Sequence, residues 1–329
     1  ASRRHRHRGS LSSHQTKNSK KILKKEKASQ GKKLAFPVSK NLSQKKRIGA
    51  SRTKKKCDMN TKFSVSSTEA PERSKAFRKL CKVAASASKQ FHMLEAGDRL
   101  LVGISGGEDS LMLMHVLVYL QQRAPFPFAI LPAVIDLEFT TLDRPALQQY
   151  ALAQNWPLHW VKLSGADILT AKNAEQKPCP LCSRLRRGQL HKLAGELSCN
   201  KIVLGHHLDD LCTSFLLALF RGGGLKTMGP NVAADAASKR LIRPLCLLTK
   251  AEIHQAAQGF EFPQIRSCPF EDALKRDGDR FFLEQLLNTL ELKFKNVRSC
   301  MLHSLGDIRI AHLLDQRFLF RDDPDEGKL

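Results

Sequence analysis

Residues 99–110 read Arg99-Leu100-Leu101-Val102-Gly103-Ile104-Ser105-Gly106-Gly107-Glu108-Asp109-Ser110, and the fold turns on this stretch. Its first half is a short, nearly continuous apolar run, the pattern of a strand buried on both faces. Two glycines follow, which let a backbone turn tightly and approach a ligand closely. From Ser110 to Gln121 the apolar residues return with helical spacing. A strand that turns through glycines into a helix presents that helix's free N–H groups, and the positive end of its dipole, to whatever lies in the turn. Ser105 and Ser110 add hydroxyl groups, and Asp109 is suited to hold Mg²⁺ against phosphate oxygens or to orient a loop amide. Neither G-x-x-x-x-G-K-[ST] nor G-x-G-x-x-G is present, so this is a phosphate cradle of another kind.

Working outward, further apolar runs at Ala129–Ile135, Leu158–Leu163, Lys201–Leu204 and Leu241–Leu247 predict four more strands. Between and around them, helical periodicity covers 75–94, 145–154, 180–197, Leu208–Phe220 and Lys250–Gln258, and 279–320 reads as mostly helical. On the first helix Phe77, Leu80, Val83 and Ala84 share a face. Strands alternating with helices predict an α/β, doubly wound, mostly parallel five-stranded sheet covered on both faces, with right-handed crossovers. Ligands of such sheets bind outside the carboxyl ends of the strands, which is where residues 105–110 fall.

Two other segments carry chemistry. Cys179-Pro180-Leu181-Cys182 runs into Ser183-Arg184-Leu185-Arg186-Arg187-Gly188. Two thiolates at this spacing suit a shared metal or cluster. Zinc wants four ligands and no second C-x-x-C exists; a thioredoxin-like pair would follow the first strand rather than the third. Cys268 is a candidate third ligand, and three thiolates would leave one iron of a 4Fe–4S cluster open for an exogenous sulfide. The other segment, Leu204-Gly205-His206-His207-Leu208-Asp209-Asp210, joins the fourth strand to its helix. Gly205, His206, Asp209 and Asp210 are candidates for nucleotide or Mg²⁺ binding, with helix capping as the plainer role for either aspartate.

Ser-Gly-Gly-x-Asp-Ser at 105–110 resembles the signature of the PP-loop ATP-pyrophosphatases, and Pro180-Leu181-Cys182-Ser183-Arg184-Leu185-Arg186-Arg187-Gly188 resembles the central motif of the tRNA 2-thiocytidine synthetases. The likeness continues through residues 220–228, 242–245, 261–263, 296–298 and 312–315. It implies an enzyme that cleaves ATP between its α- and β-phosphates, adenylates the carbonyl of a tRNA cytidine (cytidine 32) and exchanges that oxygen for sulfur. ATP, Mg²⁺ and a 4Fe–4S cluster on Cys179, Cys182 and Cys268 are the implied cofactors, tRNA and a sulfur donor (a cysteine desulfurase system or free sulfide) the implied partners. Asp109 and the three cysteines would be catalytic, and Ser105, Gly106, Gly107 and Ser110 would hold the pyrophosphate. Two positions depart from the family pattern. Glu108 stands where the family carries Lys, which sets a carboxylate beside the phosphates; Glu271 stands where it carries a second Cys, which leaves Cys268 alone in its motif. A lysidine-type synthetase shares the cradle without needing the cysteine pair, and a catalytically decayed RNA-binding protein would keep only the fold.

Composition bounds the rest. The formal net charge of +24 is concentrated: residues 1–56 hold 20 Lys or Arg and one acid, Glu26, for a net +19, which leaves +5 for the remaining chain. Residues 1–75 lack apolar periodicity and are expected to be a disordered basic tail, serving as an RNA-attracting arm, a targeting segment or simply a solvated end, with the working domain at 76–329. Nine cysteines in 329 residues are no disulfide scaffold, and no secretory h-region or membrane-length apolar run is seen. A cytoplasmic enzyme follows, or an organellar one if the tail is a transit segment; a homodimer is compatible with either.

Overall fold

The computed structural model describes residues 71–138, 142–165, 167–168, 172, 178–234, 239–263 and 278–317. The basic tail up to residue 70, Cys268 and Glu271 lie outside these residues. The described residues begin at Pro71, inside the stretch expected to be tail. Pro71–Arg73 form a 3-10 turn, and Ser74 caps the first helix, α1 (Lys75–Gln90), by accepting a hydrogen bond from the Phe77 N–H at 3.1 Å. Glu72 faces His115 across 3.5 Å, which ties this turn to the core.

The strands are β1 (Arg99–Ile104), β2 (Ala129–Asp136), β3 (His159–Lys162), β4 (Lys201–Val203), β5 (Asn231–Ala233) and β6 (Arg240–Ile242). The helices after α1 are α2 (Glu108–Gln121), α3 (Arg144–Ala153), α4 (Pro178–Glu196), α5 (Leu208–Phe220), α6 (Lys250–Ala257), α7 (Asp279–Lys293) and α8 (Val297–Gly306). Among the described residues the sheet has the order β3-β2-β1-β4-β6-β5. Its first five strands in that order are parallel, and β5 closes the edge antiparallel to β6.

The expected five parallel strands are all present, and β5 is a sixth that the sequence pattern does not announce. It is three residues long with two of them exposed, so it carries no apolar alternation to read. The strand expected over Leu241–Leu247 stops at Ile242. Pro244 has no N–H for the ladder, and the chain turns there, with the Cys246 N–H donating to the Arg243 carbonyl at 3.1 Å.

β1 is central, with β2 on one side and β4 on the other. Leu100, Val102 and Ile104 point into the larger core, shared with α1, α2 and α6; Leu101 points to the opposite face, where Leu190 and Ala194 of α4 cover it. Leu100, Leu101 and Val102 are fully buried, a burial that stabilises by about 1.5–3 kcal/mol per side chain. This fixes the carboxyl end of β1, and therefore the turn after it, in the middle of the sheet's edge. A third apolar cluster packs α7 and α8 against α5 through Leu283, Leu287, Val297, Leu208, Cys212 and Leu216. None of the described helices is long and apolar enough to cross a membrane.

Candidate active site

The turn after β1 is rigid before any ligand arrives. Gly106 sits at φ +87°, a conformation that side chains disfavour. Ser110, buried in the first turn of α2, donates from its hydroxyl to the Gly107 carbonyl at 2.8 Å and accepts from the Ser105 N–H at 3.2 Å. The Ser105 hydroxyl lies 3.2 Å from that of Ser110 and accepts from the Gly107 N–H at 3.3 Å. The two serines therefore lock the bend as well as lining it. Gly107 is the N-cap of α2 and supplies no side chain to the first amides of the helix; the Ser110 N–H already donates to the Gly107 carbonyl at 3.1 Å, and the amides of Gly106, Glu108 and Asp109 are the ones left to an anion.

The second wall is the segment after β4. Gly205 lies directly against the cradle: a Cβ there would stand 3.1 Å from the Asp109 carbonyl oxygen and 3.3 Å from the Ser110 nitrogen. These are backbone atoms and cannot swing aside. Gly205→Ala is therefore expected to push the loop out of register by a few tenths of an ångström and to weaken Mg-ATP binding roughly tenfold, because small misplacements of a binding site are costly; titration calorimetry reads the change. Unaltered affinity in this variant would mean that the bend and the β4 segment do not form one site.

His207 is buried beside three carboxylates: Asp209 at 3.4 Å, Asp210 at 3.5 Å and Asp109 at 3.9 Å. Burial disfavours its charged form, but the neighbouring carboxylates of Asp209, Asp210 and Asp109 outweigh it, and its pKa rises. His206 goes the other way. Burial pushes its pKa down to about 4, so the ring is neutral and its Nδ1 accepts from the Arg243 Nε at 3.2 Å. Asp209 is a structural centre: it accepts the Lys250 N–H at 2.8 Å and pairs with the Arg298 Nε at 2.7 Å. Burial alone would raise its pKa; His207, the Lys250 amide and Arg298 instead hold it at about 2. Asp210 accepts the His207 N–H at 3.1 Å, closing the first turn of α5.

Several charged residues that motif reading passed over organise the cleft. Lys250, at the start of α6, reaches Glu108 at 3.0 Å and Asp109 at 2.6 Å, and His254 meets the other Glu108 oxygen at 2.9 Å. Arg298 of α8 pairs with Glu291 at 3.0 Å and donates to Asn288 at 2.6 Å, both on α7. A cavity of about 510 Å³ opens beside this network, lined by Asp209, Lys250, His254, Glu284 and Asn296 among others. The signal for Lys250 was present in Thr249-Lys250-Ala251-Glu252, a capping box whose two reciprocal bonds, 3.2 and 3.1 Å, fix the start of α6 at the sheet's edge.

Cys179 and Cys182 occupy the first turn of α4, three positions apart and both half-buried. Spacing of this kind puts two side chains on one face of a helix. Cys182 packs onto the apolar cluster under α4, to which Leu163 and Leu204, the residues just past β3 and β4, also belong. The donor set thus fits two of the three positions of a cluster site. Cys268 lies outside the described residues, and no group of three metal-binding side chains forms among those described.

A parallel sheet whose central strand ends in an amide-lined bend, with a His-Asp segment from the next strand against it, defines a nucleotide-binding protein of the PP-loop class. Residues 78–264 match the PP-loop domain family. The chain is similar to the tRNA-cytidine(32) 2-sulfurtransferase of Pelobacter propionicus, at 35% identity over 73% of this chain and 90% of that protein. It is similar also to that of Sorangium cellulosum, at 37% identity over 72% and 84%. The chain belongs to the tRNA-cytidine(32) 2-sulfurtransferase family. Among solved structures, the U34-tRNA thiolase NcsA of Methanococcus maripaludis, determined with its 4Fe-4S cluster, shares the fold with a TM-score of 0.52 at 15% identity, covering 68% of this chain and 76% of that one.

Proposed function

We propose that this protein is an ATP-dependent tRNA thiolase that replaces the oxygen at carbon 2 of cytidine 32 with sulfur. What supports the reading is a glycine bend at the carboxyl end of the central strand (105–110) together with a thiol pair (Cys179, Cys182) in the first turn of α4, where Cys182 packs on the cluster that includes Leu163 and Leu204. A phosphate site alone fits any PP-loop enzyme; the thiols supply what a lysidine-type synthetase does not use.

The bend and Ser105 receive the β- and γ-phosphates of ATP. Asp109, Asp210 and the Ser110 region face the same space and would hold Mg²⁺. The oxygen at carbon 2 of the base attacks the α-phosphate, the bond to the bridging oxygen breaks, and pyrophosphate leaves on the bend, where the amides of Gly106, Glu108 and Asp109 are not engaged by the described bonds. The product is a base O-adenylate. Catalysis of this step is positioning and charge neutralisation. Cys179 and Cys182, with Cys268 as the third thiolate, would hold a 4Fe–4S cluster that supplies the sulfide. Attack of sulfide on carbon 2 expels AMP with the original oxygen. An anticodon-loop base is reachable because it can be splayed out of its stack. The basic residues before Lys75 act as an arm for tRNA phosphates, a cysteine desulfurase or free sulfide replenishes the sulfur, and the domain from residue 76 onward works in the cytoplasm as a homodimer.

The reaction is tested by incubating anaerobically reconstituted protein with unmodified tRNA, Mg-ATP and sulfide, then measuring digested nucleosides by mass spectrometry. 2-Thiocytidine is expected. A lysine adduct of cytidine would identify the other synthetase chemistry, and absence of any ATP turnover would identify a decayed enzyme.

A further inference from the structure

We propose that Lys250 is the cation that receives the nucleotide's β- and γ-phosphates in this chain, delivered to the cradle from the start of α6 rather than from the loop itself. The proposal rests on reading residues 105–110 as that cradle.

The first turn of α2 contributes Glu108 and Asp109 and no basic residue. Two carboxylates beside an anion site oppose the anion by direct Coulomb repulsion. Lys250 answers both, with its Nζ 3.0 Å from Glu108 and 2.6 Å from Asp109. Its backbone is fixed at both ends: Thr249 caps α6 ahead of it, and its own N–H donates to Asp209 at 2.8 Å. Yet the side chain is 42% exposed, so a ligand reaches the ammonium without displacing the backbone.

The charges of Arg187 and Arg280 reach the Arg243–His206 pair, but neither has a described contact with Glu108 or Asp109, and the charged groups nearer the loop are committed or conditional. The Arg243 guanidinium donates to His206 and to the Gly229 carbonyl. Arg298 pairs with Asp209 and Glu291. His254 and His207 face Glu108 and Asp109, but their charge depends on pH. Lys250 is charged throughout the physiological range. On this assignment Glu108 is the anchor of the cation that binds the phosphates, and its carboxylate is no obstacle to them.

The test is titration calorimetry of the full chain with inorganic pyrophosphate, Mg-ATP and AMP. Lys250→Met should weaken pyrophosphate and ATP about 10- to 100-fold, the worth of a charge-assisted hydrogen bond, while AMP changes less than about threefold. Lys250→Glu should bind neither pyrophosphate nor ATP measurably. The double exchange Glu108→Lys/Lys250→Glu, which returns one cation and one anion to the same spot, should bring pyrophosphate binding back to within about threefold of wild type. Melting temperatures identify variants that fail to fold, and should the double exchange be one of them, Lys250→Met alone decides. Wild-type pyrophosphate affinity in folded Lys250→Met overturns the proposal, as does a folded double variant that does not recover binding. A wild-type chain that binds neither pyrophosphate nor ATP would remove the cradle itself, a separate failure from that of Lys250.

Discussion

Asp109→Ala is expected to reduce tRNA-dependent pyrophosphate release by a factor of about 10³ or more, since removing one preorganised charged group from a phosphate-transfer site typically costs 10²–10³ and here two functions go together. Asp109 sits in the first turn of α2, one oxygen against Lys250 at 2.6 Å and the other 3.9 Å from His207. Truncation removes the carboxylate proposed to hold a divalent cation and also releases the Lys250 ammonium it pairs with. Asp109→Asn keeps the shape and much of the hydrogen bonding but removes the charge, so it separates the two uses. If Asp109 served only to favour the helix dipole, Asn would be nearly silent; as a charged ligand holder, Asn should lose nearly as much as Ala. Loss of fold is not an adequate alternative explanation. Asp109 is about one-third exposed and Lys250 more so, and pairs of this kind contribute about 0–1 kcal/mol. Quenched-flow measurement of pyrophosphate in the first turnover reads the effect. An Ala variant within tenfold of wild type would mean that Asp109 is outside the chemistry.

The parts of this site that were legible in the sequence share one property: their signal is local. The Arg99–Ser110 stretch states strand, bend and helix in consecutive residues, and Leu204–Asp210 does the same one crossover later. Apolar runs bounded by turns are enough to place five parallel strands, four of them holding buried residues and the half-buried edge strand β3. β5 escaped for the opposite reason, being three residues at an edge with mostly exposed side chains. The charged network escaped because it is not local. Lys250 meets Asp109 across 141 residues of chain, and α8 returns Arg298 to Asp209. Periodicity reports which face of a helix is buried, never which distant residue it meets. Glu108 illustrates the consequence. Taken with its neighbours in sequence it is a carboxylate intruding on a phosphate site, whereas in space it is one half of an ion pair whose other half comes from α6.

Cys179→Ser/Cys182→Ser should lower 2-thiocytidine formation at least 100-fold while tRNA-dependent pyrophosphate release continues, because serine oxygen is a poor ligand for soft iron yet nearly matches the thiol in size. The two residues stand on one face at the start of α4. Cys182 also leans on the apolar cluster that includes Leu163 and Leu204, which screens one side of the pair from water. Serine nearly matches cysteine in size, and α4 is secured by Leu190 and Ala194 further along its length. The substitution therefore leaves the adenylating half of the site in place. Two readouts should move together: iron content and visible absorbance of anaerobically purified protein fall to background, and sulfur incorporation into tRNA falls with them. Pyrophosphate release should persist at a reduced rate, with the adenylated base returning to cytidine by hydrolysis. A double variant that still thiolates tRNA within tenfold of wild type would place the sulfur chemistry elsewhere in the chain. Loss of pyrophosphate release to the same degree as thiolation would show that the thiol pair and the cradle cannot be separated, and that the sheet's edge carries one indivisible site rather than two adjoining ones.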